Sequence, residues 1–195
     1  MRCLVESKKV VMVGIPGVGK TTLVSKIVDI LKAKNKSVKV VSFGTVMLEE
    51  AMKNGVKDRD ELRKLTTVEQ QKLQKVAGEK IASMSEDLVI IDTHAFIVTP
   101  AGFYPGLPDY VMKIIKPSNF ITVSARPEEI YNRRMKDDTR NRDIISIDAI
   151  KKELSVQESM VSACSVLSGS PMMTVLNREG KIEEAAETVI NAIGL

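Results

Sequence analysis

The sequence predicts an open, doubly wound α/β domain, and three observations carry that reading. Five short apolar, β-branched runs punctuate the 195 residues, at 10–13, 38–43, 88–91, 120–123 and 172–176. Longer stretches with helical spacing lie between them, at about 20–34, 45–54, 60–84 in one or two pieces, 107–116, 127–136, 146–168 and 181–193. No repeat or Ser/Gly-rich linker divides the chain, so one domain over 1–195 is expected. Runs that are apolar throughout suit strands covered on both faces, which is the situation in a parallel sheet. Their alternation with helices means βαβ units. Ligands of such sheets bind beyond the carboxyl ends of the strands, so chemistry should be sought just after residues 13, 43, 91 and 125.

Composition narrows the classes. Hydrophobic residues make up 44% and charged residues 28%, which fits a globular chain and excludes wholesale disorder. Lys and Arg total 29 against 25 Asp and Glu, a net charge of +4. That excess is too small to imply nucleic acid, and none is expected as a partner. Cys3 and Cys164 form neither a disulfide framework nor a CxxC pair, and a single His94 excludes a His-rich metal site. No apolar run approaches the ~18–20 residues of a membrane span. Residues 1–9 are charged and precede only four apolar residues, unlike a secretory signal. A soluble, cytoplasmic protein without a membrane partner is the expectation.

The first strand leads directly into Gly14-Ile15-Pro16-Gly17-Val18-Gly19-Lys20-Thr21, which matches G-x-x-x-x-G-K-[ST] in full. An amphipathic helix with Leu23, Ile27, Ile30 and Leu31 follows, and Asn35 stands where its C-cap is expected. Glycines let the backbone curl so that amides face a phosphate, and the helix adds the positive end of its dipole. Lys20 suits the β- and γ-phosphates of a nucleoside triphosphate, and the Thr21 hydroxyl suits Mg²⁺. Eight matching positions with both flanking elements argue against a mere Gly-rich turn.

After the second strand comes Lys57-Asp58-Arg59-Asp60-Glu61-Leu62-Arg63-Lys64, a first basic cluster. The third strand ends in Asp92, which beside a phosphate loop can hold Mg²⁺ directly or through water. Thr93 and His94 follow, and His94 is read either as a phosphate contact or as a structural hydrogen bond. The loop over 99–108 places Phe103 beside Tyr104, to frame a base or to plug the loop. After the fourth strand Pro127 opens a helix that carries Arg133 and Arg134, the latter expected on a solvated face. In 138–143, Arg140 and Arg142 sit among acids with no apolar period, which fits a segment closing over phosphates. Planar guanidinium groups match the equatorial oxygens of a transferring phosphoryl group.

The helix over 146–168 has a core stripe of Ile147, Ile150, Leu154, Met160, Val161, Cys164 and Leu167, with Gly169 at its C-cap. Ser155, Ser159, Ser162 and Ala163 beside that stripe leave a subunit interface open. The fifth strand runs into Asn177-Arg178-Glu179-Gly180, which does not match the Asn-Lys-x-Asp of guanine-specific switches.

Nearly end to end, the chain resembles the archaeal-type adenylate kinases. The likeness rests on residues 14–22, Lys57 to Leu65, Ile91-Asp92-Thr93-His94-Ala95, Thr99-Pro100 with Pro105-Gly106-Leu107-Pro108, and Thr139-Arg140-Asn141-Arg142. It implies a P-loop kinase fold with a five-stranded parallel core, an AMP-binding helical segment at about 44–73 and a short lid at about 137–147. Reversible transfer of the γ-phosphoryl group of ATP to AMP with Mg²⁺, giving two ADP, and a homotrimer are implied as well. By the same likeness Gly14, Ile15, Pro16, Gly17, Val18, Gly19, Lys20, Thr21 and Thr22 cradle ATP phosphates. Thr21 and Asp92 serve Mg²⁺, while Arg63, with Arg59 and His94, meets AMP. Lys20, Arg133, Arg140 and Arg142 then supply the catalytic charge.

Three positions depart from that pattern. Gly44-Thr45 stands where Gly-Asp is usual, Lys136 where Arg is frequent, and Thr93-His94-Ala95 where bacterial-type enzymes have Gly-Phe-Pro-Arg. Another small-molecule kinase, of shikimate or gluconate type, and a regulatory P-loop ATPase remain the alternatives.

Overall fold

In the computed structural model, which describes residues 7–99, 102–136 and 146–195, β1 (Lys8–Val13) runs through the middle of a five-stranded parallel sheet. The strands stand in the order β2-β3-β1-β6-β7, with β2 (Val38–Ser42), β3 (Leu88–Thr93), β6 (Asn119–Ser124) and β7 (Met172–Leu176). Val10 to Val13 and Leu88 to Ile91 are buried, as the uniformly apolar runs require. The register sets Val13 beside Thr93 on one side and beside Thr122 on the other. The chain leaving β1 therefore emerges between the ends of β3 and β6, beside Asp92.

Each face of the sheet has its own core. On one side α1 (Lys20–Ala33) and α8 (Ile182–Ile193) cover Val10, Met12, Ile90 and Ile121. On the other, α2 (Phe43–Met52), α4 (Thr67–Ala82), α5 (Asp109–Ile115) and α7 (Ile147–Ser168) cover Val11, Val13, Ile91 and Phe120. Packing, not propensity, holds α1 together. Its six β-branched residues each cost a few tenths of a kcal/mol as helix formers. Burying Leu23, Val24, Ile27 and Leu31 returns roughly 1.5–3 kcal/mol each.

The expected helices form with small shifts. Phe43 starts α2 instead of ending β2, and the 60–84 stretch divides into α3 (Arg59–Lys64) and α4 at a capping box built by Thr66 and Glu69. Pro127 is the first residue of α6 (Pro127–Met135), and Asn35 and Gly169 adopt the left-handed conformation that ends their helices. One element departs from expectation. The region read as a loop after Thr99 belongs to an antiparallel hairpin of β4 (Phe96–Thr99) and β5 (Gly102–Pro105). Strands of four residues are too short to display an alternation. Residues 44–73 fall on α2, α3 and the start of α4, while 137–145 lie outside the described residues, as does Cys3. Among the described residues no helix is long and apolar enough to cross a membrane.

Candidate active site

The phosphate loop is shaped by what cannot fit in it. A Cβ at Gly14 would lie 2.7 Å from Val18 Cγ2, and Gly17 and Gly19 have φ of 90° and 81°, a region that favours glycine. Gly19 is the N-cap of α1 and supplies no side-chain cap, so the first amides of that helix have no intrahelical partner. Such a helix start is a ready anion site.

Lys20 bridges to β3: its Nζ pairs with the Asp92 carboxylate and donates to the Thr93 carbonyl at 3.0 Å. Strand order alone brings these residues together from opposite ends of a 72-residue separation. His94 follows at the mouth of the cleft. The residue as a whole is exposed, yet its ring is crowded, and this desolvation pushes its pKa below the ordinary histidine value. The Lys20 charge acts in the same direction, while Asp92 and a hydrogen bond to the Gly14 backbone oppose it. Arg59 also lowers the His94 pKa.

The first basic cluster is held by its own local bonds. Asp58 caps α3 by accepting from the amides of Asp60 and Glu61, and Glu61 accepts from the Lys57 amide at 2.7 Å. Arg59 Nη2 donates to Thr45 Oγ1 at 3.1 Å, joining the starts of α2 and α3. Arg63 lies one turn further along α3, and its side chain falls outside the described residues. Arg140 and Arg142 lie outside them too.

Behind the loop the structure corrects one expectation and adds a residue. Arg134, expected in solvent, has 8% of its side chain exposed; its Nε donates to the Pro16 carbonyl at 2.8 Å and its Nη2 to Glu153 at 2.8 Å. Arg133 donates from Nη1 to the carbonyls of Gly17 and Val18 at 3.4 and 3.3 Å, and from Nη2 to that of Asn177 at 3.2 Å. Asn177 is 5% exposed, and its Nδ2 donates to Val18 at 2.9 Å and Gly19 at 3.4 Å. A single Asn after a strand carries no motif, so its role was not legible in the sequence. Glu129 completes this side by accepting from the amides of Arg126 and Glu179.

The donor set near Lys20 suits a hard cation. Thr21 offers a hydroxyl and Asp92 a carboxylate, and among the described residues no group of three or more His, Cys, Asp or Glu side chains could hold a metal by itself. Mg²⁺ shared with a triphosphate needs no more than one or two protein oxygens.

Comparison with known proteins follows the same lines. A family model described as an AAA domain matches residues 13–151. An adenylate kinase of Methanocaldococcus jannaschii is 40% identical over 190 residues, covering 96% of this chain and 99% of its own. An adenylate kinase of Thermoplasma volcanium is 41% identical over 184 residues, with 94% and 98% covered. Among solved structures, a shikimate kinase from Bacteroides thetaiotaomicron superposes with a TM-score of 0.59 at 14% identity, covering 96% of this chain and 99% of that one. A shikimate kinase from Acinetobacter baumannii in complex with shikimate gives 0.54 at 15% identity, with 96% and 93% covered. At such identities the likeness is one of fold.

Proposed function

Because this chain belongs to the adenylate kinases, we propose that it transfers the γ-phosphoryl group of ATP to AMP, reversibly, giving two ADP. The observation that carries the reading is the complete phosphate loop with Lys20 against Asp92, together with Arg59 of the first basic cluster held on Thr45. Residues 14–22 take the ATP phosphates, with Lys20 Nζ donating to β- and γ-oxygens. Thr21 and Asp92 would hold Mg²⁺, which would neutralise charge on those phosphates.

Arg63, Arg59 and His94 receive the AMP phosphate. Its oxygen is already anionic, so it attacks the γ-phosphorus without a general base while ADP departs along the line of attack. Arg140 and Arg142 meet the charge that spreads over the equatorial oxygens. Arg133, expected there from the sequence, acts from behind the loop through the carbonyls of Gly17, Val18 and Asn177. A homotrimer in the cytoplasm completes the reading. The trimer follows from the family resemblance, and Leu167, expected in the core stripe of α7 but exposed at its end beside Val166, offers apolar surface for such contacts.

A coupled assay with Mg-ATP and each of AMP, GMP, CMP and UMP, alongside a control without acceptor, tests it. Two ADP formed per AMP consumed, with slower turnover of the other three, is the expected result. ATP consumption without acceptor, or no turnover with any of the four, would overturn the assignment.

A further inference from the structure

Four successive carbonyls of the phosphate loop, those of residues 16–19, are taken by side chains that arrive from other elements. Arg134 of α6 takes Pro16, Arg133 takes Gly17 and Val18, and Asn177, just past β7, takes Val18 and Gly19. A trans peptide carries its C=O and N–H on opposite sides. Drawing a carbonyl to the outside of a loop therefore turns the following N–H inward. By this rule the clamp sets the amides of Gly17, Val18, Gly19 and Lys20, although that of Val18 also meets the Ile15 carbonyl at 3.4 Å.

The two best-formed clamp bonds, Arg134 to Pro16 at 2.8 Å and Asn177 to Val18 at 2.9 Å, come from buried side chains. Glu153 of α7 holds the far end of the Arg134 guanidinium. The fit is close. A Cβ at Gly17 would lie 3.1 Å from Arg134 Cγ, and one at Gly19 would overlap Asn177 Nδ2.

We infer that Arg134 and Asn177 are positioning residues for the donor nucleotide, acting through the loop carbonyls they hold and not by touching the phosphates. Without them the loop amides lose their common direction, and the triphosphate loses several convergent donors at once. AMP, held by residues of the other cluster, loses nothing. The inference rests on the kinase reading above, and its test separates the two.

Binding of the β,γ-imido analogue of ATP with Mg²⁺ is measured by titration calorimetry on the parent, Arg134→Met, Arg134→Lys, Asn177→Leu and Asn177→Ser, with melting temperatures and the KM for AMP alongside. Each variant should bind the analogue at least tenfold more weakly, with the KM for AMP within twofold of the parent. Glu153→Gln keeps the Pro16 bond and should stay within threefold of the parent for both. Arg134→Lys and Asn177→Ser keep a polar head too short for the clamp, so they preserve the test if the larger changes fail to fold. Folded variants that bind like the parent would overturn the inference and leave the kinase reading standing, as would equal losses for both nucleotides. A parent that does not bind the analogue would sink both.

Discussion

Lys20 and Asp92 form the ion pair on which the site is centred, and they show what a single residue contributes. In the proposed reaction the Lys20 ammonium would turn to the β- and γ-phosphates and stabilise the charge that moves between their oxygens. Lys20→Met keeps the stem and removes the charge, so the fold should persist while kcat falls on the order of 10²–10³-fold, the usual effect of deleting one such donor. Circular dichroism and steady-state kinetics on the same preparation check this, and near-parent kcat would refute the role. Both residues were legible in the sequence because a fixed spacing and a strand end announce them. Arg134 and Asn177 were not. Their bonds span 118 and 159 residues and end on main-chain carbonyls, which every residue possesses and no motif records. Thr45 illustrates the same blindness at shorter range: its hydroxyl seats Arg59, and nothing in Gly44-Thr45 announces a partner 14 residues on.

Helix ends were legible at Asn35, Pro127 and Gly169, whereas the sequence leaves the break inside 60–84 open, and a local cap sets it. Thr66 accepts from the Glu69 amide while the Glu69 carboxylate takes the Thr66 amide at 2.9 Å, and this reciprocal cap separates α3 from α4. Two orphan donors are satisfied at once, and α4 carries Leu73, Ala77 and Ile81 into the core beneath the acceptor side. Thr66→Ala should therefore cost about 1 kcal/mol, within the range of roughly 0.5–2 for lost caps, seen as a lower urea midpoint at unchanged slope. No change in midpoint would mean that packing alone sets the start of α4. The β4–β5 hairpin escaped notice for the opposite reason. Its tight point is Gly106, where a Cβ would overlap the His94 carbonyl, a steric demand visible only once both segments are in place. The exposed Ile97 and Val98 also break the rule that apolar residues mark a buried strand.

Across the whole molecule, carboxylates tie separate parts of the chain together, and this fixes how stability should depend on pH. The Lys80 ammonium, then Lys53, holds Glu50 below the ordinary carboxylate range and joins α2 to α4. Ser37 does the same for Asp87 through its amide and hydroxyl, bracing the chain before β2 against the chain before β3. The Lys26 ammonium lowers Glu183 and links α1 to α8, and the Thr66 hydroxyl and amide lower Glu69. Burial pushes Glu129 upward, but the amides of Arg126 and Glu179 and two nearby Arg charges leave it depressed. A carboxylate whose folded pKa is depressed stabilises the native state above its unfolded pKa, and loses that contribution as pH falls through the folded value. Lys26 and Lys53 are raised by the same partners, so their contribution is complete below the usual lysine range and is lost only in strong alkali. Between pH 6 and 8 the carboxylates are ionised and the lysines charged in both states, so they leave the melting temperature level there. His94, whose folded pKa is depressed, lets the unfolded chain take up a proton first and should lower the melting temperature slightly as pH drops below about 7. Below about pH 5 the unfolded chain takes up protons first, and the melting temperature should fall steadily towards pH 3. Of these links only those of Glu50 and Glu183 are direct ion pairs. Salt at 0.5 M, with a Debye length of roughly 4–5 Å, should therefore flatten only part of the fall, chiefly that from the exposed Lys26–Glu183 pair. Scanning calorimetry over pH 3–8 in both salts decides it: a melting temperature that holds or rises on acidification would show that these carboxylate links contribute nothing to the native state.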